Sequence, residues 1–307
     1  MTHKEIYVET TIAAPIENIW EKTQNPALHE KWDMRFSSIT YMPKEAGEPQ
    51  RFTYTRALIP GLKISGWGVS VGNHEKVDGT RSSSLHFGTP QVISPIKEGR
   101  GYWQYIPNEK SDDVTFLTAY NYEPNYGKLG KLLDKVVFRP LMGWGTALSF
   151  DILKRWIEKG ESPATQYMRF LMTYGLTLFF AFVWVYHGLV PKIIAMHPEE
   201  IMMTGELFPV ELTILKKIII GIGIIEIIFG FIWLLYPHKR HLFALQFILF
   251  PVLILSAVTS DVQTAVHPFN PVTFNISLTL LSIIGFSLSK DVPTAKNCRR
   301  KRTYHEK

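Results

Sequence analysis

The stretch Ile218–Tyr236 reads IIIGIGIIEIIFGFIWLLY, and it decides the class of protein to which this chain belongs. Each of four apolar runs has about 17–21 residues, close to the ~20 that cross a ~30 Å hydrocarbon layer as a helix. A buried helix of a soluble protein normally keeps a polar stripe, whereas Ile218–Tyr236 offers only Glu226. The sequence therefore predicts an all-α four-helix transmembrane bundle over residues 165–290. The other three runs are Phe170–Val190, Leu242–Thr259 and Val272–Leu288.

Basic residues are concentrated in the segments that this arrangement would place in the cytoplasm. Lysines and arginines precede the first run, join the second run to the third, and follow the fourth. The connector Ser260–Pro271 contains neither, and Pro191–Lys217 offsets its three lysines with four glutamates. Lys216 and Lys217 break the rule, but their long side chains can reach the membrane interface. The sequence thus predicts cytoplasmic N- and C-termini, with a basic tail over residues 291–307 attracted to anionic lipid.

Composition excludes several other classes of protein. The formal net charge of +6 is small for 307 residues, and no nucleic-acid-binding motif is present. Cys298 is the only cysteine, which excludes an internal disulfide and any cluster held by cysteines of this chain alone. The polar start, Met1–Glu9, lacks the features of a secretory signal. We therefore expect the first half of the chain to remain in the cytoplasm.

The first 160 residues show the alternation of apolar and polar residues that is typical of β-strands. His3–Ala14 alternates in this way, and six further β-branched or aromatic-rich segments lie between residues 39 and 122. Short helices are predicted at Ile16–Thr23 and Ala27–Trp32, and a long amphipathic helix at Lys128–Lys159. Pro140 should kink or break the long helix. The predicted fold class of this half is therefore α+β.

A sparse pattern runs through the first elements: Val8-x6-Pro15-x3-Ile19-Trp20, then Asn25-Pro26 and Trp32-Asp33. With the order of elements, this pattern resembles the START-related superfamily of polyketide cyclase-like and lipid-transfer proteins (SRPBCC) over residues 1–159. The resemblance implies a helix-grip fold, in which a curved antiparallel sheet and a long helix enclose a cavity for a hydrophobic molecule. Simple core packing is the alternative for each candidate cavity residue, namely Trp67, Phe87, Trp103, Tyr105, Phe116 and Trp144.

No complete catalytic motif and no metal site is predicted, so enzymatic activity is left open. Cyclase and hydrolase relatives of the superfamily need an acid or a base in the cavity. His86 and Glu123 are the only candidates for that role, and neither has an identifiable partner in the sequence.

The long helix also carries a row of basic residues beside its apolar stripe. Lys128, Lys131, Lys135 and Arg139 are spaced by three, four and four residues, which places them on one face. This face is either solvated or lies against the anionic inner leaflet of the membrane.

The membrane half carries a more specific set of motifs. Residues 183–192 read VWVYHGLVPK, His197-Pro198-Glu199-Glu200 follows, and the second run contains Gly223-x2-Glu226-x3-Gly230. These motifs, with Thr259-Ser260-Asp261 after the third run, resemble the DoxX-like family of small bacterial membrane proteins over residues 165–290. Some relatives are linked to quinone-coupled sulfur oxidation and to redox-stress complexes. The resemblance therefore allows a quinone as a cofactor, and no other cofactor is predicted.

Glu226 is the residue of this half with the clearest chemical interest. Gly223 and Gly230 share its helical face, and small residues admit a neighbouring helix closely. Glu226 should therefore face the interior of the bundle, where an ionisable group is costly and often functional. The alternative is a carboxyl group that only joins helices by hydrogen bonds. The topology places three further polar residues toward the outer side, where they would form one membrane polar site with Glu226: His187, Asp261 and Asn275.

Three functions are compatible with the sequence. The first is a multi-pass protein of the bacterial inner (plasma) membrane that presents a domain for a lipid-like or hydrophobic small molecule at the cytoplasmic face. The second is an accessory membrane subunit of a quinone-linked redox or oxidative-stress complex. The third is a scaffold for partner proteins. The expected partners are the lipid bilayer and a hydrophobic small molecule, with a homo-oligomer or a membrane partner protein also allowed and no nucleic acid.

Overall fold

The structure is a computed structural model that describes residues 5–59, 61–108, 110–260, 262–266 and 268–302. The chain divides into two compact units. The first, which we call the soluble unit, consists of Met1–Tyr167 together with Pro293–Lys307. The second, the membrane unit, consists of Met168–Val292.

The soluble unit is built on one antiparallel sheet of seven strands in the order β1-β7-β6-β5-β4-β3-β2. The chain runs from β2 to β7 through successive hairpins, and β1 then pairs with β7 at the far edge. This order, with the helices described below, confirms the predicted α+β helix-grip fold. The strands are β1 Ile6–Ala13, β2 Ser38–Tyr41, β3 Arg51–Ile59, β4 Leu62–Glu75, β5 Arg81–Gly88, β6 Ile96–Pro107 and β7 Asp113–Pro124.

Glycines on β4 make room for aromatic rings of the neighbouring strand. Tyr54 pairs with Gly66, and Phe52 pairs with Gly68. A Cβ atom on either glycine would collide with the ring that lies over it. The two glycines therefore let the Tyr54 and Phe52 rings lie flat on the inner face of the sheet.

In the part of the soluble unit that the structure describes, four α-helices accompany the sheet, and the predicted long helix is divided between two of them. A π-helical segment, Asp134–Phe138, separates these two. Pro140 is near the start of the second one, where its missing N–H and its ring oppose a regular helix through the preceding turn. The helices are α1 Ile16–Gln24, α2 Pro26–Trp32, α3 Gly127–Leu133 and α4 Arg139–Lys159.

The C-terminal segment Pro293–Arg302 packs on the soluble unit. Glu9 of β1 and Arg299 exchange two backbone hydrogen bonds of 2.9 Å. The Asp151 carboxylate of α4 accepts from the Thr294 backbone N–H and the Asn297 amide, both at 2.8 Å. Where the sequence suggested a separate basic tail attracted to lipid, the structure places this segment along the edge of the sheet.

Among the described residues of the membrane half, four helices are long and apolar enough to cross a membrane, as predicted. The first continues past its α-helical part into a π-helical segment, Gly188–Ile194. A shorter helix in the connector that follows was not predicted, although Pro198 is at its first turn, where proline is favoured. The helices are α5 Pro163–His187, α6 Pro198–Leu207, α7 Leu212–Leu235, α8 Lys239–Ser260 and α9 Pro271–Leu288.

Candidate functional site

A cavity of about 150 Å³ lies between the inner face of the sheet and the helices of the soluble unit. Its walls come from β2 to β7, from the end of α1, from α2 and the segment after it, and from Met142 of α4. Eight of the residues that line it are aromatic: Phe36, Tyr41, Phe52, Tyr54, Phe87, Tyr102, Trp103 and Tyr120. The structure therefore has a cavity between the sheet and the helices, where the resemblance to the superfamily implied one.

The structure brings two of the six predicted cavity residues to this wall, Phe87 and Trp103. Tyr105 and Phe116 are fully buried in the adjoining core, where Phe116 stacks on the Phe150 ring of α4 at 4.5 Å. Trp144 of α4 is half-buried and is not part of the wall.

Trp67 lies on the outer face of the sheet instead. Its side chain is 37% exposed, and its ring contacts His86 edge-on at 5.0 Å. Its neighbours Gly66 and Gly68 face inward, so the alternation of side chains along the strand directs Trp67 outward.

Sequence reasoning missed most of the remaining wall. Phe52 and Tyr54 alternate on β3, and this period of two could have identified them as a pair on one face. Phe36 follows α2 in an irregular segment, where no periodicity exists to assign it.

An ion pair between Asp33 and Arg35 forms the polar end of the cavity. The Arg35 Nε donates to Asp33 Oδ1 at 2.8 Å, and Nη2 contacts Oδ2 at 2.5 Å. The Asp33 side chain is fully buried, while Arg35 reaches the cavity wall. His29 Nε2 also contacts the Asp33 carboxylate, at 3.1 Å.

The protonation of this group follows from its surroundings. Burial alone would raise the pKa of Asp33, but the Arg35 guanidinium and the contact with His29 together outweigh burial and hold that pKa well below its usual range. Burial lowers the pKa of His29, and the Asp33 carboxylate opposes this only in part. At neutral pH the group therefore holds one negative charge, one positive charge and a neutral imidazole, so its charge is balanced.

The two hydroxyl groups near this end of the cavity donate to acceptors of the protein itself. The Thr146 hydroxyl donates to the Met142 carbonyl at 2.9 Å, so Tyr120 must donate its own proton to Thr146 Oγ1, also at 2.9 Å. The guanidinium carbon of Arg35 lies 5.5 Å from the centre of the Tyr120 ring. A ligand that enters this end meets a guanidinium rather than a carboxylate, so the arrangement suits an acceptor such as a carbonyl, hydroxyl or carboxylate oxygen.

The predicted acid and base candidates are outside the cavity. His86 Nε2 contacts Glu98 Oε1 at 2.6 Å on the outer face, near Trp67. Glu123 is exposed on β7 and follows Tyr122, whose side chain is buried on the inner side. Neither residue can act on a molecule bound in the cavity.

The predicted basic row is only partly available to a membrane. Lys128, Lys131 and Lys135 are exposed, whereas the Arg139 guanidinium turns inward. It donates from Nε to Asp134 at 2.9 Å and from Nη1 to Asn121 at 2.8 Å. The exposed apolar residues beside the lysines are Leu129, Leu132, Leu133, Val136 and Val137.

Glu226 of α7 faces the bundle interior, and its charged partner is one that sequence reasoning did not single out. Lys192 Nζ of the π-helical segment lies 3.1 Å from Glu226 Oε2. The same ammonium lies 3.1 Å from Glu200 Oε1 of α6. The three side chains form one buried group, which we call the outer ion cluster.

The other members of the predicted membrane polar site are placed differently. The His187 ring contacts Phe274 of α9 at 5.4 Å. Asn275 is buried one residue further along and donates to the Pro271 carbonyl at 2.8 Å. Asp261 lies outside the described residues.

Comparison with known proteins relates both halves of the chain to others. Residues 181–283 match the model of the DoxX-like family. The chain is 44% identical over 188 residues to the uncharacterized membrane protein YndG of Bacillus subtilis (strain 168), across 61% of this chain and 70% of that protein.

Similar solved structures match the soluble half of the chain. A STAR-related lipid transfer protein from Xanthomonas axonopodis is 15% identical, with a TM-score of 0.38 over 50% of this chain and 85% of that one. The Zhui aromatase/cyclase from Streptomyces sp. R1128 is 10% identical, with a TM-score of 0.37 over 52% of this chain and 98% of that one.

The strand order, the four apolar helices and the family match together define a class: a membrane protein that joins a domain with the helix-grip fold to a helical region that matches the DoxX-like family. More particularly, the chain belongs to the family of membrane proteins that includes YndG of Bacillus subtilis.

Proposed function

We propose that the soluble unit binds a hydrophobic small molecule with one hydrogen-bond-accepting group and presents it at the cytoplasmic face of the membrane. The observation that supports this most directly is the interior cavity, with its aromatic wall and the Arg35 guanidinium at one end. An apolar wall favours a hydrophobic body, and a small number of polar groups fixes its orientation.

The size of the cavity restricts the ligand. A volume of about 150 Å³ is close to that of an engineered apolar cavity that binds benzene, and below the ~300–1,000 Å³ of most drug-sized sites. A molecule with about one ring fits without movement of the wall. A lipid-like molecule with a long chain would require the wall to open.

The segment from α3 to Phe138 suits contact with a lipid surface. It exposes apolar side chains beside Lys128, Lys131 and Lys135, which is the composition of a helix that lies in a membrane interface. At its end, Phe138 packs in the same cluster as the cavity residue Phe87. The segment thus connects a surface suited to lipid with the wall of the cavity, which favours exchange of the ligand with the membrane.

The orientation proposed for the protein rests on two observations. Basic residues precede the first span, join the second to the third and follow the fourth, which favours a cytoplasmic location for these segments. The segment after the fourth span packs on the soluble unit, as expected if an even number of spans separates them. Reporter fusions after His197 and Lys239 test this, with an external signal expected only at His197.

The experiment for the ligand is extraction and mass spectrometry of small molecules from the purified full chain. Filling the cavity by Ser83→Leu should remove the co-purified molecule, whereas Trp67→Ala on the outer face should not. A fatty or polyketide-like molecule supports the proposal. A quinone that Ser83→Leu does not remove supports the redox alternative, and an empty protein supports a scaffold.

The membrane contact is tested by transfer of the extracted or a fluorescent apolar ligand to vesicles that contain anionic lipid. Leu132→Glu places a carboxylate on the exposed face and should slow transfer at least tenfold without loss of binding at equilibrium. Lys110→Gln, in a turn remote from α3 along the chain, changes the net charge by the same one unit and is the matched control. Equal transfer rates for the two variants would remove α3 from the proposal.

A further inference from the structure

The outer ion cluster joins three elements of the membrane unit. Lys192 belongs to the π-helical segment Gly188–Ile194, Glu200 to α6 and Glu226 to α7. The side chains are only 12%, 17% and 13% exposed, so water screens their charges poorly. Glu226 is 14 residues beyond Leu212, about 21 Å along the helix axis at ~1.5 Å per residue. The cluster therefore extends from the connector helix α6 deep into an apolar span.

Two glycines allow this arrangement. A Cβ atom on Gly223 would lie 2.6 Å from the Gly188 carbonyl oxygen, a distance that real Cβ atoms do not reach. The same atom would be 3.1 Å from the Lys192 Cβ, so the close contact of the two backbones brings Lys192 against α7. The π-helical segment also changes which side of the chain faces α7, and such segments are often found at functional sites.

The charges of the cluster do not balance. Two carboxylates and one ammonium give −2 + 1 = −1. An uncompensated buried charge in an apolar medium is strongly unfavourable. Neutrality requires one further positive charge, and a carboxylate can accept it as a proton.

The charged residues of the neighbouring elements do not supply that charge to the cluster. On α6 and α7, the carboxylates Glu199 and Glu206 and the lysines Lys216 and Lys217 are exposed, where water solvates them. Of the described residues on α5, His187 is the titratable group nearest in sequence to the cluster, and its ring packs against Phe274. His187 could bind the proton in place of the cluster, so a test must include it.

We propose that the outer ion cluster binds one exchangeable proton, shared between Glu200 and Glu226 and held in place by Lys192. The proton enters from the side of the membrane on which α6 lies, because Glu200 belongs to that helix. Binding converts a group of charge −1 into a neutral one without movement of the backbone. The membrane unit thus contains a proton-binding site separate from the ligand cavity of the soluble unit.

Substitutions of Glu226 and Lys192 change the charge of the cluster in opposite directions, and this distinguishes the proposal from simple helix packing. Glu226→Gln leaves a balanced Lys192–Glu200 pair, so the protein should remain folded and lose the proton site. Lys192→Met leaves two carboxylates without a cation, and it should be the most damaging of the cluster substitutions at neutral pH. Lys192→Arg keeps the charge and supplies a variant that folds if Lys192→Met does not.

The direct test is infrared difference spectroscopy of the full chain in lipid nanodiscs between pH 8 and pH 5. The wild type should gain the carbonyl band of one protonated buried carboxyl group. That band should be missing from Glu226→Gln and retained in Glu206→Gln, the exposed control on α6. Absence of the band from the wild type, its persistence in Glu226→Gln, or its loss in His187→Gln would overturn the assignment.

A second readout is the midpoint of thermal unfolding, taken as the wild type minus Glu226→Gln so that changes in the soluble unit cancel. A proton held more tightly in the folded state stabilises at low pH, and the effect disappears as pH rises. The difference should therefore favour the wild type by about 2–4 °C per pH unit of acidification. If the difference instead depended on sodium or potassium concentration at fixed pH, the bound species would be a metal cation and not a proton. That result would overturn the proposal.

Discussion

The two units of the chain bury charge in different ways. The soluble unit uses aspartate–arginine pairs, in which Asp33 contacts Arg35, Asp134 contacts Arg139 and Asp151 contacts Arg155. The membrane unit places one lysine between two glutamates. Arginine forms fixed, planar contacts with a carboxylate, whereas a lysine is a compact charge that several groups can share. The difference indicates that the pairs fix the fold, while the cluster retains a place for an exchangeable proton.

The largest expected effect is on the pair at the end of the cavity. Asp33→Asn leaves the Arg35 guanidinium buried without its counter-charge, which typically costs about 3–5 kcal/mol. We expect a loss of that size in the free energy of unfolding of the soluble unit, measured by denaturant titration of the full chain in nanodiscs.

The matched control for Asp33→Asn is Glu17→Gln, which removes a surface contact of 3.2 Å to Arg81. The Glu17 side chain is 67% exposed, so its loss should change the free energy of unfolding by no more than about 0.5 kcal/mol. A result in which the two variants are equally stable would mean that the buried pair does not fix the fold.

The next effect concerns the Asp151–Arg155 pair, which the C-terminal segment contacts through Asp151. Asn297→Asp would place a second carboxylate against Asp151, where the Asn297 amide now donates at 2.8 Å. Loss of a hydrogen bond to a charged group costs about 1.5–3 kcal/mol, so the segment should separate from α4 more often. The nearby thiol of Cys298 reports this directly, because it is the only cysteine of the chain.

Cys298 should react slowly in the wild type. Its side chain is buried, it donates to the Ala147 carbonyl at 3.3 Å, and burial raises the pKa of the thiol to about 12. Asn297→Asp should increase the rate of maleimide labelling about ten- to a hundredfold, whereas Lys296→Ala, an exposed residue of the same turn, should not. Rapid labelling of the wild type would show that the segment is not held on the soluble unit.

The sequence predicts the elements of this protein better than it predicts the site. Long apolar runs and strand alternation are local signals, so the spans and the strands follow from them. Asp33 and Arg35 lie in an irregular segment after α2, where charged residues are normally solvated, and only the tertiary fold buries them. The contact between Glu226 and Lys192 depends on a π-helical segment and a glycine contact that no local pattern reveals.

A smaller effect on stability should appear when pH changes the protonation of His29 and Asp33. The pKa of His29 is lowered in the folded state, so below about pH 6.5 the unfolded chain binds a proton that the folded chain resists. This lowers the stability by at most about 1.4 kcal/mol per pH unit. The low pKa of Asp33 acts in the same direction below about pH 4, as the unfolded carboxylate becomes protonated.

His29→Gln should remove the loss of stability that begins below about pH 6.5 and leave the loss that Asp33 causes below about pH 4. We expect the wild type to lose stability more steeply than His29→Gln between pH 6.5 and pH 5, measured as the midpoint of thermal unfolding. The outer ion cluster is the same in both proteins, so its opposite dependence on pH cancels in the difference. Parallel curves would indicate that His29 titrates as an exposed histidine does.

The smallest effect should come from a second histidine–carboxylate contact, on the outer face of the sheet. His86 and Glu98 are 2.6 Å apart, closer than the 3.1 Å between His29 and Asp33. Their side chains are 25% and 46% exposed, however, so water already solvates both groups and screens their attraction. Glu98→Gln should therefore change the free energy of unfolding by no more than about 0.5 kcal/mol and leave ligand binding unchanged, since the contact is across the sheet from the cavity. Denaturant titration and binding of an apolar fluorescent probe measure both quantities, and a loss near that of Asp33→Asn would show that distance, rather than burial, determines what these contacts contribute.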